Sequence, residues 1–424
     1  MFVRFEVKNY RSFNSQQKFS LVKTKKTKDN ELLNNVFYPE NNKDFALLKS
    51  GVIYGANASG KSNFLKALLA MKKVITASSQ HGNKLPLTPF KLNSESILQP
   101  SEFEITFIGK DIQGEDIRYQ YGFSANAVQV FDEWLFAFPN GHAQKWFERI
   151  WNSSNENYEW KFSSFLKGKK QIWQEATRPN ALFLSTSVQL NSEQLKPVFD
   201  WFSDTLQFGE SNDFYPVYTA ELCTKEQKTE VMKFLRAADL NIQDISVETK
   251  EFSASELPDD MPEVLRDIIS KELNGAKRFD LKTIHLDNDG RQILFEFEEE
   301  SDGTQKIFSL VGPILDVLNK GNVLCVDELN TNLHPKLVEF LIGLFHNPKT
   351  NAKNAQLIFT THETSILNQE IFRRDQVWFC ERNEFQESML YPLSDFSPKK
   401  GKENLELGYL SGRYGALPFI DFLY

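Results

Sequence analysis

The sequence predicts an α/β fold in which a parallel sheet and its helices carry an antiparallel β lobe and a short helical insert. Three observations predict it. Short, unbroken apolar runs at 51–54, 181–184 ("ALFL"), 323–326, 356–359 ("QLIF") and 376–380 ("QVWFC") have the length and pattern of strands buried on both faces, and several lead into helix-like segments. Between the first two runs the period changes to two in "EFEITFIG" and "RYQYGF", while "VQVFDEWLFAF" and "YEWKF" are rich in strand formers. A turn of small residues, "GANASGKS", joins the first apolar run to a helical stretch.

Taken in order, "MFVRFEVKNYRSF" alternates as a strand does and is expected to join the antiparallel lobe of residues 100–165. It lacks the basic-then-apolar layout of a signal peptide. Residues 189–275 read as helical: "TKEQKTEVMKFLRAADL" spaces its apolar side chains three and four apart, and the prolines of "SASELPDDMPE" interrupt the run. No heptad pattern persists, which excludes a long coiled coil. "LKTIHLDNDGRQILFEFEEE" reads as a hairpin about Asp289-Gly290, and "ESDGTQKIFSLVGPIL" opens a helix at Ser301 to Thr304. The chain thus divides into 1–185, a helical insert at 186–276, and 277–424.

With 424 residues, 41% of them hydrophobic and 25% charged, the chain has the composition of a soluble globular protein with room for two or three modules. No window reaches the roughly 18 apolar residues that a membrane span needs, so a cytoplasmic protein is expected. Cys223, Cys325 and Cys380 are too scattered for a disulfide framework or a metal cluster. A net charge of −8 argues against a broadly basic nucleic-acid footprint. The local runs "KTKKTK" and "KGKK" read as solvated loops.

The turn carries chemistry. In "SGVIYGANASGKSNF" the G-x4-G-K-S spacing lets backbone N–H groups turn inward around phosphate, and the following helix start adds its partial positive charge. Lys61 would reach the β- and γ-phosphates of ATP and Ser62 would ligate Mg²⁺. Gly55, Asn57, Ser59, Gly60, Lys61, Ser62 and Asn63 are the candidate nucleotide contacts. In "NVLCVDELNTNLHP" two carboxylates follow a buried strand. They are either the first polar residues of a strand exit or the partners of that phosphate site. In the second case Asp327 holds Mg²⁺, directly or through water, and Glu328 polarises the attacking water.

Two weaker signals lie around them. Ser301 and Gly303 at a helix start suit an anion or a plain N-cap, and His362 stands just past the buried strand of "QLIFTTHETSIL". The order of these motifs resembles the ABC-type ATPase head of SMC-like proteins. "FEVKNYRSF" is similar to that group's first strand, where the basic residue, here Arg11, is a nucleotide contact. "VDELNTNLHP" resembles the Walker B and D-loop segment, with Asn330 in place of the usual Asp. "PFKLN", "RYQYGF", "NALFLS", "RRDQVWFCE" and "YLSGRYGALP" resemble the abortive-infection and PARIS-type ATPases of bacterial anti-phage systems, related to the head of the OLD nucleases.

The resemblance implies a P-loop head whose ATP is sandwiched between two copies, giving a homodimer or a higher homo-oligomer. Ser301 and Gly303 of one head would contact the γ-phosphate of its partner, and His362 would contact it from within its own head. Asn330 puts the cross-subunit contact of the D-loop in question, and with it the turnover rate. OLD nucleases carry a Toprim domain with an Asp-x-Asp after the head, and none follows His362 here. The expected role is therefore an ATPase subunit of an anti-phage system, answering to a phage-derived trigger and restraining a separate nuclease-type effector. The insert and "YLSGRYGALPFI" are the candidate docking surfaces. An ATP-gated scaffold with little turnover and a DNA recombination or repair ATPase are the alternatives.

Overall fold

The computed structural model of the chain describes residues 1–24, 32–40, 45–80, 84–209, 216–251, 261–272, 277–398 and 403–418. They form two compact units, one of Met1–Ser211, Val317–Thr331 and Val338–Tyr424, the other of Asn212–Asp316 and Asn332–Leu337. Among the described residues no helix is long and apolar enough to cross a membrane.

The first unit holds two large sheets and a two-stranded pair of Val36–Phe37 with Leu47–Leu48. In the six-stranded sheet the order is Leu206–Gly209, Val323–Val326, Gln356–Thr360, Ser50–Tyr54, Val377–Arg382 and Ser388–Pro392, all parallel except the last. Every residue of Ser50–Tyr54, Val323–Val326 and Gln356–Thr360 is buried, the reason these runs read as unbroken. In the seven-stranded antiparallel sheet, Asn157–Phe162, Gln144–Asn152, Val130–Phe138, Asp116–Ala125, Ser101–Lys110, Phe2–Lys8 and Gln17–Ser20 lie side by side, so the N-terminal strand does join the lobe.

Helix Lys61–Ala77 buries Phe64, Leu68, Met71 and Val74, and its Phe64 meets Phe5 at 5.7 Å and Phe19 at 5.2 Å between ring centres. Phe19 also meets Trp378 at 5.0 Å, so one aromatic core ties both sheets to the helix. Gly51 permits this approach, because a Cβ there would stand 2.6 Å from the Phe19 ring.

Two sequence expectations are corrected here. The run at 181–184 is not a strand, for Phe183–Gln189 is a helix. Its first N–H groups, those of Phe183 and Leu184, donate to the Glu133 carboxylate at 2.6 and 3.0 Å. An acid at a helix start satisfies otherwise orphaned donors, and this one comes from fifty residues earlier, beyond the reach of local pattern. The strand position beside Val323–Val326 is filled instead by Leu206–Gly209. Residues 189–275 are also not uniformly helical. Beside the helices Pro216–Cys223, Lys228–Ala237 and Glu263–Glu272, the strand Asp244–Glu251 pairs with Lys277–Leu286. Lys277–Leu286 in turn pairs with Gln292–Glu296, the predicted hairpin, and completes the three-stranded sheet of the second unit.

Glu133 and Arg149 are both fully buried, 3.8 Å apart, with the Tyr121 hydroxyl donating to Glu133 at 3.0 Å. Burial pushes the Glu133 carboxyl up, and Arg149 opposes the shift. Glu133→Ala would strand the Arg149 charge and reopen the helix start. The expected loss is about 3–5 kcal/mol of stability, the cost of breaking a buried pair on one side. Thermal unfolding checks it: a melting temperature equal to that of the wild type would contradict this role for the pair.

Candidate functional site

Strands Ser50–Tyr54, Val323–Val326 and Gln356–Thr360 are parallel neighbours, so their carboxyl ends deliver Gly55, Asp327 and Thr361 to one edge of the sheet. That edge is where open α/β sheets bind ligands. The loop after Ser50–Tyr54 is held from behind. A Cβ on Gly55 would collide with the Cys380 carbonyl, and one on Gly60 would collide with Ser388 Oγ. Gly60 also has φ +116°, a backbone that glycine adopts without strain. The Ser59 carbonyl accepts from Ser388 Oγ at 2.6 Å and Cys380 Sγ at 3.4 Å, and Asn63 Nδ2 donates to Ser12 Oγ at 2.9 Å.

Among the described residues no protein acceptor takes the backbone N–H of Gly60, Lys61 or Ser62, which open the helix Lys61–Ala77. These open donors at a helix start fit a phosphate. Ser59 Oγ is buried without a partner, a further donor in the same loop. Lys61 is 6% exposed, and its Nζ donates to the carbonyls of Gly55 at 2.7 Å and Ala56 at 3.0 Å. Burial pulls its pKa down, while Cys380, Glu328 and Asp327 hold it up. A buried cation with two carboxylates nearby is suited to receive a polyphosphate.

Thr360 organises the acidic pair. Its hydroxyl donates to Asp327 Oδ1 at 2.5 Å and accepts the Glu328 N–H at 2.8 Å. Glu328 adopts φ +49°, left-handed for a non-glycine residue, and Thr331 Oγ1 donates to its Oε2 at 3.4 Å. Such backbone costs about 1–3 kcal/mol and persists where the surroundings over-determine it. Among the described residues no group of three or more His, Cys, Asp or Glu gathers. Ser62 and Asp327 are the candidate ligands for a cation that phosphate oxygens would complete, the mixed shell that Mg²⁺ takes.

Beside this pair, Thr361 Oγ1 donates to Asn330 Oδ1 at 2.9 Å, and Asn330 Nδ2 lies 3.1 Å from His362 Nε2. An amide nitrogen only donates, so Nε2 is the acceptor in this contact. The segment 403–418 also reaches the edge: Ala56 N–H donates to the Ala416 carbonyl at 2.9 Å.

Residues 52–368 match the family model described as "AAA domain, putative AbiEii toxin, Type IV TA system". The chain belongs to this family. No curated protein matches it. Among solved structures it is similar to an Smc head bound to the C-terminal winged-helix domain of ScpA, at 12% identity and TM-score 0.37 over 92% of this chain and 97% of that one. The recombination mediator RecF with ATP follows at 14% and 0.35 over 87% and 95%. The Smc head with an extended coiled coil, bound to a ScpA domain and derived from Pyrococcus furiosus, gives 11% and 0.41 over 92% and 96%.

In this AAA-type ATPase domain most of the sequence-predicted residues come together in the first unit: the loop 55–63, Asp327, Glu328 and His362. Asn57 is exposed on the loop. Arg11 is exposed too, and its Nε donates to the Tyr10 hydroxyl at 3.1 Å, while the next residue, Ser12, is the one that touches the loop. Ser301 and Gly303 belong to the second unit. Ser301 is exposed ahead of helix Asp302–Lys320, its Oγ accepting the Thr304 N–H at 3.2 Å as an N-cap does.

Sequence reasoning missed Thr360, Ser12, Cys380, Ser388 and Ala416. The Thr-Thr before His362 carried a local signal, since a hydroxyl at a strand end can bridge neighbouring strands. The others come from distant segments and carried none.

Proposed function

We propose that this chain binds Mg·ATP in the loop 55–63 and hydrolyses it. The observation that carries this is the meeting, at one sheet edge, of open N–H groups, a buried lysine and an acid pair fixed by Thr360. Gly55, Asn57, Ser59, Gly60 and Asn63 form the cradle. Lys61 exchanges its loop carbonyls for the β- and γ-phosphates. Ser62 and Asp327 hold Mg²⁺, which when bound neutralises charge on those phosphates. Glu328 takes the proton of the attacking water, and Arg11 and His362 add contacts to the nucleotide.

The order of motifs supports an SMC-like reading in which two heads sandwich ATP, with Ser301 and Gly303 of one copy facing the other's γ-phosphate. The family description, which names an AbiEii toxin, and the resemblance to anti-phage ATPases support a cytoplasmic defence role: a sensor or scaffold that responds to a phage-derived trigger and controls a separate, nuclease-type effector. Expressing the chain alone under phage challenge tests this, because protection or toxicity without any second protein would contradict a separate effector.

One observation favours the second reading, an ATP-gated scaffold with slow turnover. Asn330 is turned onto its own Thr361 and His362 and is 9% exposed, which leaves little of it for a partner head.

Thr360→Val retains the shape but removes the hydroxyl that orients Asp327 and Glu328. Apparent Mg²⁺ affinity in ATP turnover is expected to fall about 10- to 100-fold, as for other partners that orient metal ligands. A Mg²⁺ titration superposing on that of the wild type would refute the bridging role.

A further inference from the structure

The segment expected to be a docking surface exposes Leu410, Ser411, Gly412 and Arg413 and anchors in the first unit through three residues. Tyr409, Tyr414 and Ala416 are buried, and residues 419–420 lie outside the described residues. Phe379, on a strand adjoining Ser50–Tyr54, stacks with Tyr409 at 5.4 Å and Tyr414 at 5.7 Å, and Tyr54 meets Tyr409 at 6.0 Å. These rings fix the segment against the strand that feeds the phosphate loop.

From there it grips two loops of the site. At one end the Ala416 carbonyl accepts both the Ala56 N–H of the phosphate loop, at 2.9 Å, and the Tyr409 hydroxyl, at 3.0 Å. At the other, Glu406 Oε1 accepts the Thr364 hydroxyl at 2.9 Å, two residues past His362, and the Glu403 carbonyl accepts Gln369 Nε2 at 2.8 Å. The turn between these grips is shaped for the task. Gly415 has φ +68°, and a Cβ there would stand 2.6 Å from the Tyr391 hydroxyl and 2.7 Å from Glu381. That Tyr391 hydroxyl lies 2.7 Å from Glu381 Oε2 and 3.0 Å from the Tyr414 carbonyl.

We propose that residues 404–418 are a clamp that sets the position of the phosphate loop relative to the His362 loop, so that the affinity for ATP depends on how this segment is seated. The inference rests on the nucleotide reading above. Tyr409 and Glu406 are positioning residues: neither touches the nucleotide, and each fixes a loop that does. Whatever displaces the segment weakens ATP binding, and by reciprocity ATP binding steadies the segment.

The test uses the full chain and Mg·ATP. Equilibrium binding is measured for the wild type, Tyr409→Phe, Glu406→Ala, Gly415→Ala and Lys61→Ala, with melting temperatures alongside, and hydrogen exchange of 404–418 is followed with and without ATP. The Tyr409 and Glu406 variants are expected to weaken ATP binding about 3- to 10-fold each, the effect of one lost hydrogen bond, at near-unchanged melting temperature. Gly415→Ala is expected to weaken it by more. ATP is expected to slow exchange in 404–418 of the wild type and not of Lys61→Ala. A wild type that binds ATP while its variants bind equally well and the segment's exchange is unmoved overturns the clamp alone. A wild type that binds no ATP overturns the nucleotide reading and the clamp with it.

Discussion

Glu328→Gln is expected to slow ATP hydrolysis by about 10²- to 10⁴-fold, the usual contribution of a positioned general base. Glutamine keeps the size of the side chain and its hydrogen bond from Thr331, and loses only the capacity to take a proton from water. Its backbone N–H still donates to Thr360, whose hydroxyl continues to hold Asp327, so Mg·ATP binding should survive. If two heads sandwich ATP, hydrolysis is what releases them. The variant should therefore accumulate as a larger species when ATP is added. Sizing with ATP reads this directly, and an unchanged elution volume would count against the sandwich.

Lys61→Ala is the second large effect. Lys61 is buried at the start of its helix and already bonded to two carbonyls of the loop, so the cation is placed before any nucleotide arrives. Its removal leaves Asp327 and Glu328 without the nearby positive charge and a polyphosphate without its fixed counter-ion. ATP affinity is expected to fall by two orders of magnitude or more, equivalent to about 3 kcal/mol at 1.4 kcal/mol per tenfold. Calorimetric titration with ATP checks it, and a dissociation constant within threefold of the wild type would remove Lys61 from the site.

The features most legible in the sequence are those built from adjacent residues. The proposed cradle is contiguous from Gly55 to Asn63, the acid pair is contiguous at 327 and 328, and the buried strands beside them show as unbroken apolar runs. What escaped was what distant residues decide. The helix at Phe183 looks like a strand until Glu133 caps its first N–H groups, and Leu206–Gly209 is a strand of four residues whose pairing with Val323–Val326 is its main distinction. The walls of the loop at 55–63 come from Ser12, Cys380, Ser388 and Ala416, a set that only the fold assembles. Asn330 shows both sides: its departure from Asp was visible in the sequence, and its turn inward onto Thr361 and His362 was not.

The loop at 55–63 and the acid pair at 327–328 are proposed to form one Mg·ATP-hydrolysing site. Steady-state phosphate release from Mg·ATP by the purified wild type, Lys61→Ala and Glu328→Gln measures it most directly. Mg²⁺-dependent release by the wild type that is lost in both variants is the expected result. Equal rates in all three proteins, or a wild type that releases no phosphate, would contradict it.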